Sequence, residues 1–150
     1  MKWLINKFIL CNNCGTLGIW AVPDKVIYTD NLNEGVGGNC SYGLFSTTIR
    51  IRPKYKSDMG ILNHEATHSK QFGRLFWAHS ILAKFSTKYR LLIEIQAYRE
   101  QVKIYKYTKV SEYNWIVDAL FLKYNLNMSR AAIKEYLDYA FIDVLDKYKG

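Results

Sequence analysis

Residues His64-Glu65-Ala66-Thr67-His68 carry the spacing H-E-x-x-H. On an α-helix, at about 100° per residue, positions four apart lie about 40° from one another on one face, so both imidazoles can reach a single ion. Glu65 falls on the flank of that face, close to the ion yet poorly placed to ligate it. That position suits a general base acting on a metal-bound water. Ile61 and Phe72 share the histidine face and turn it inward. Two buried imidazoles beside a carboxylate need compensation, and a bound cation supplies it. His64 and His68 therefore read as metal ligands and Glu65 as the general base.

A catalytic zinc takes three protein ligands and keeps a fourth position open. Glu94, His79 and Cys40 are the candidates for the third. Glu94 sits on the shoulder of the apolar stripe of a later helix, one turn from Leu91 and Tyr98. A carboxylate directed at an apolar face is costly unless it is paired or bound to a cation, and Arg90, four residues earlier, is its alternative partner. Glu94 is preferred on that ground.

NHEATHSKQF, followed 26 residues after His68 by Glu94-Ile95-Gln96-Ala97-Tyr98, resembles the gluzincin metallopeptidases, and the compact minigluzincins in particular. The resemblance covers about Thr47 to Gln101. It implies a zincin-like fold, a Zn2+ ion held by His64, His68 and Glu94, and Glu65 as general base and acid in peptide-bond hydrolysis. It also implies that the strand ending near Arg52 is an edge strand above the active-site helix, pairing with an extended substrate. Tyr98 stands where the family often has an Asp that hydrogen-bonds a ligand histidine; it either supports that histidine through its hydroxyl or belongs to the core. An oxyanion donor is expected as well, with Tyr98, His79, Tyr105 and Arg99 as candidates.

The elements that must position these groups follow from punctuation and periodicity. From Leu17 to Arg52, GIWAV, KVIYTD and GLFSTTIRIR alternate with turn signals, including the glycine- and asparagine-rich NLNEGVGGNCSYG, which reads as a loop. Thr48, Arg50 and Arg52 make one polar face of the last run. A small antiparallel sheet of three strands is expected. After Pro53 the pattern becomes helical: an active-site helix capped by Ser57 or Asp58 and ending near Phe72 before Gly73, then LFWAHSILAKF as a short helix or packed loop. A glutamate helix over about Lys88 to Tyr107 and C-terminal helices over Val110 to Tyr124 and Ser129 to Tyr148 complete an α+β arrangement.

The chain has 150 residues, of which 49% are hydrophobic and 23% charged, proportions that fit one compact domain spanning 1–150 and exclude disordered and collagen-like structure. Its 21 Lys and Arg against 13 Asp and Glu give a formal charge of +8, compatible with nucleic acid, an anionic membrane surface or an acidic substrate. Lys103, Lys106 and Lys109 are a candidate nucleic-acid footprint. A SprT-like DNA-associated metalloprotease, with His79 as third histidine, and a non-catalytic basic binding module with a vestigial metal site are therefore the alternatives to a peptidase acting on a peptide or protein substrate. Cys11-Asn-Asn-Cys14 has metal-knuckle spacing without a second pair, and Cys40 admits a deformylase-like ligand set; reduced thiols are the preferred reading of all three. The lysine-flanked Phe8-Ile9-Leu10 is too short for a secretory segment, and no run approaches the roughly 18 apolar residues of a membrane span, so a soluble, cytoplasmic protein is expected.

Overall fold

A computed structural model describes residues 24–44, 46–75, 77–107, 110–124 and 126–148. The GIWAV run, Cys11, Cys14 and Lys109 lie outside them. Three strands come first, β1 (Asp24–Tyr28), β2 (Gly38–Tyr42) and β3 (Thr47–Ile51). Five α-helices follow among the described residues, α1 (Met59–Leu75), α2 (Trp77–Phe85), α3 (Thr87–Tyr105), α4 (Asn114–Lys123) and α5 (Arg130–Tyr148), in the α+β order expected.

The sheet differs from expectation in its pairing. Its order is β1-β3-β2, with β2 antiparallel to β3 but β1 parallel to it, so the sheet is mixed. β3 is the central strand, not an edge, and its Thr47, Ile49 and Ile51 are buried while Thr48 and Arg50 are half-exposed. The second half of the stretch read as a loop is β2. Tyr28 and Gly38 both pair with Ile51, so the connection between β1 and β2 crosses the end of β3. Arg52 stands at that crossing and holds it: Nε donates to Val36 O at 2.7 Å, and one terminal nitrogen donates to Leu32 O at 2.9 Å and Asn33 O at 2.8 Å. Carbonyls of an irregular loop have no ladder partner, and with Asp30 O at 3.3 Å one guanidinium answers four of them.

α1 starts where Asp58 Oδ1 accepts the backbone N–H groups of Gly60 (2.9 Å) and Ile61 (3.0 Å), which satisfies two of the orphan donors of the first turn. It continues through Gly73 to Leu75, past the expected stop. A helical glycine costs about 1 kcal/mol relative to alanine, a cost that packing can outweigh. Gly60 admits the Tyr105 ring: a Cβ there would stand 2.3 Å from Tyr105 Cε1. Ser86 caps α3 by accepting from Tyr89 N at 3.2 Å, and Lys106 ends it in the left-handed conformation with φ 54°. α3 lies between two surroundings. One side meets α1 beneath β2 and β3; the other meets α4 and α5 in an apolar core where Ile95, Val102, Ile116, Leu120, Ile133, Leu137 and Phe141 are fully buried. No helix among the described residues is long and apolar enough to cross a membrane.

Candidate metal centre

His64, His68 and Glu94 converge at the α1–α3 interface, all three buried. His64 Nε2 stands 3.2 Å from His68 Nε2, Glu94 Oε2 lies 3.6 Å from His64 Nε2, and Glu94 Oε1 lies 3.5 Å from His68 Nε2. Three ligand atoms bound at 2.0–2.1 Å around a tetrahedral ion are about 3.3 Å apart. The three side chains thus form a triangle whose edges, measured to the nearer Glu94 oxygen, are of that order, and the group can hold a metal ion. Two further observations fit a cation. Among the described residues, the ion-pair partners of Glu94 are the two histidines alone, and Glu94 Oε2 is buried without a hydrogen-bond partner. A buried carboxylate oxygen in that state is costly unless a cation completes it.

The electrostatics are those of a crowded site. Burial alone would raise the Glu94 carboxyl, but His68 and His64 beside it hold it well below the usual carboxylate range. Burial likewise opposes protonation of His68, and Glu94 overrides it, carrying the imidazole up to about 9. A cation in the triangle would take the place of that proton. His68 Nδ1 meets Gln71 Oε1 at 2.8 Å, and Gln71 Nε2 donates in turn to Ile93 O (2.9 Å) and Gln96 Oε1 (3.0 Å), so the ring is oriented from α3. An amide that accepts from Nδ1 keeps the proton there and leaves Nε2 as the metal-facing atom.

Glu65 is buried beside the triangle. Burial raises its carboxyl, the two histidines pull it down, and the backbone N–H of Cys40 donates to it. That contact ties α1 to β2. The bonds Arg52 N to Gly37 O and Gly43 N to Ser46 O place residues 37, 39, 41 and 43 in the hydrogen-bonded pairs with β3, so Gly38, Cys40 and Tyr42 direct their backbone groups to the open side of β2. The edge above α1 is thus β2 rather than the strand ending near Arg52. Gly38 makes the approach possible, since a Cβ there would lie 2.9 Å from both Cγ and Oε1 of Glu65.

The other candidates are placed elsewhere or used differently. Tyr98 presents its ring edge to His64, centroids 4.4 Å apart, and its hydroxyl meets that of Tyr124. His79 is fully buried in a separate cluster, Nδ1 2.7 Å from the Tyr89 hydroxyl and Nε2 3.2 Å from the Tyr42 hydroxyl. Both its nitrogens are engaged, and it is no part of the ligand group. Arg99 pairs with Asp143 on α5, and Tyr105 donates to Asp58 at 2.9 Å. Arg90, the alternative partner of Glu94, instead donates to the carbonyls of Ala83, Lys84 and Tyr124. Cys40 offers its backbone, and its sulfur is not in the ligand group, contrary to a deformylase-like set. Gln71, which orients His68, and Tyr124, whose hydroxyl hydrogen-bonds Glu94, were missed. Gln71 had a signal, standing three residues beyond His68 on the same helix face. Tyr124 had none, because its place depends on how α4 returns to α3.

A cleft of about 470 Å³ opens onto His64 and Glu65, walled by Gly37 and Gly38 on one side and by Tyr98, Trp115 and Tyr124 on the other. Comparison with protein-family models, with curated proteins and with solved structures finds no match to this chain. What can be stated of it is an α+β fold with a buried His/His/Glu group able to hold a metal ion.

Proposed function

We propose that the chain is a zinc-dependent endopeptidase with His64, His68 and Glu94 as ligands and Glu65 as general base. The observation that carries this reading is that His64, His68 and Glu94 approach one another to between 3.2 and 3.6 Å, with a second carboxylate, Glu65, beside them that is not in the ligand group. Two imidazole nitrogens and one carboxylate are a donor set suited to zinc. Zinc in such a site supplies a water acidified to a pKa of about 7 and a Lewis acid for the scissile carbonyl. Glu65, on the cleft wall, accepts the proton of the attacking water and returns it to the leaving amine. The Cys40 amide fixes the carboxylate in place for both transfers. The outward backbone groups of Gly38 and Tyr42 offer an extended peptide a strand to pair with, and the cleft takes its side chains.

Metal analysis and peptide digestion test this directly. Wild type and His79→Ala protein are expected to carry about one zinc per chain, and Glu94→Ala to carry none. Glu65→Gln is expected to keep its zinc and lose cleavage of a peptide library by at least about 10³-fold, the scale of a lost general base together with its electrostatic role. Zinc-loaded wild type without Glu65-dependent cleavage refutes the peptidase reading. Strong, salt-dependent DNA binding in the absence of cleavage would favour the basic binding module instead.

A further inference from the structure

α2 is built inside out. An amphipathic helix ordinarily turns its apolar stripe to the core, yet the one buried residue of α2 is His79, and its outward residues include Trp77, Ile81 and Phe85. At about 100° per residue these three fall within about 80° of one another, and His79 lies about 160° from their centre. They are 74%, 48% and 77% exposed, values at which large apolar side chains stand in water. Among the described residues the stripe packs beneath nothing. An exposed apolar stripe of this kind with basic side chains beside it marks a docking site.

The charge of the chain segment that carries it is of one sign. From Ala66 to Ile93 the chain contains no Asp or Glu, while Lys70, Arg74, Lys84, Lys88 and Arg90 fall in that stretch. Lys70, Arg74, Lys84 and Lys88 are exposed, and Lys84 Nζ sits 5.5 Å from the Phe85 ring centroid. Trp and Phe that can sink to the level of lipid headgroups, flanked by lysines that can reach phosphate, are what a helix lying in the plane of an anionic bilayer requires. Each lysine or arginine near such a surface adds attraction that salt screens.

We infer that α2 forms a docking face for an anionic lipid bilayer, with Trp77, Ile81 and Phe85 entering the interface and Lys84 and the other basic side chains of this stretch binding its phosphates. The inference is independent of the metal centre, because His79 anchors α2 from the opposite side.

The full chain should be sedimented with vesicles of phosphatidylcholine alone and of phosphatidylcholine with phosphatidylserine. Wild type is expected to partition to the anionic vesicles, with binding weakened by added salt. Trp77→Ala/Phe85→Ala, both exposed and therefore compatible with folding, is expected to lose binding by roughly tenfold or more. Lys84→Glu/Lys88→Glu should remove the preference for phosphatidylserine. Glu65→Gln and metal-chelated protein should bind as wild type does, so failure of the peptidase reading leaves this one standing and the reverse. Absence of binding, equal binding by Trp77→Ala/Phe85→Ala, or conversion of a wild-type oligomer to monomers by that same variant, which would assign the face to a second copy of the chain, overturns the inference.

Discussion

The two sides of α3 are built on opposite principles. Toward α1 the interior is polar: His64, Glu65, Thr67, His68, Ser69, Gln71 and Glu94 are all buried there, and all but two of their buried polar atoms are answered by specific partners, such as Asn63 O for Thr67 Oγ1 at 2.8 Å or Gln71 for His68. Toward α4 and α5 the interior is almost wholly aliphatic and aromatic. A buried apolar side chain stabilises by about 1.5–3 kcal/mol without any requirement for direction. A buried hydrogen bond contributes only about 1 kcal/mol net, and an unanswered group costs more than that. The apolar side thus supplies stability, and the polar side, with Glu94 Oε2 and His64 Nδ1 unanswered, gives some of it up for a site that can take a cation.

That contrast breaks most visibly in the apolar half. Phe141 is fully buried and packs edge-on to Tyr113, ring centroids 5.2 Å apart. Phe141→Ala is expected to cost about 3–5 kcal/mol in denaturant unfolding, with zinc per folded molecule unchanged. A matching loss of zinc from the folded fraction would show that the two sides are not separable.

Acid probes the His79 cluster that adjoins the polar half. Burial, together with nearby His68, lowers His79 from 6.5 to about 4. Because the folded value is the lower one, this contribution is complete above pH 6.5 and is lost as pH falls toward 4, where the unfolded chain binds a proton that the folded chain refuses. A loss of up to about 3 kcal/mol is expected across that window, larger in wild type than in His79→Gln, whose amide does not titrate there. Equal pH slopes for the two proteins would remove His79 from the account.

The smallest effect is also the most local. Gly38→Ala forces the edge strand or Glu65 to move, since the new methyl would lie 2.9 Å from that carboxylate. Cleavage should fall roughly tenfold, about 1.4 kcal/mol of activation free energy, with zinc content and the unfolding midpoint nearly unchanged. A fall in stability as large as the fall in rate would mean that Gly38 serves the sheet and not the site.

Much of this could be read from the chain before folding. The four-residue spacing from His64 to His68 places both rings on one face of any helix, and Glu94 announced itself as a carboxylate at an apolar shoulder. The strands were harder. Gly38-Asn39-Cys40-Ser41-Tyr42 has no β-branched residue and is a strand because β3 pairs with it, and propensity carries no information about a partner. The parallel placement of β1 depends on Arg52 gathering loop carbonyls across the end of β3, a long-range act with no local signature. His79 had the chemistry of a ligand but lies in the wrong cluster, held by Tyr42 and Tyr89.

Sequence alone determined the paired histidines, the adjacent carboxylate, and a helix to carry them, because the 3.6-residue period is a local property of the backbone. Only the tertiary structure decided which carboxylate closes the triangle, which strand edge faces Glu65, and which face of α2 meets water. Each of these depends on contacts between residues distant along the chain, which exist only once the helices and sheet have packed.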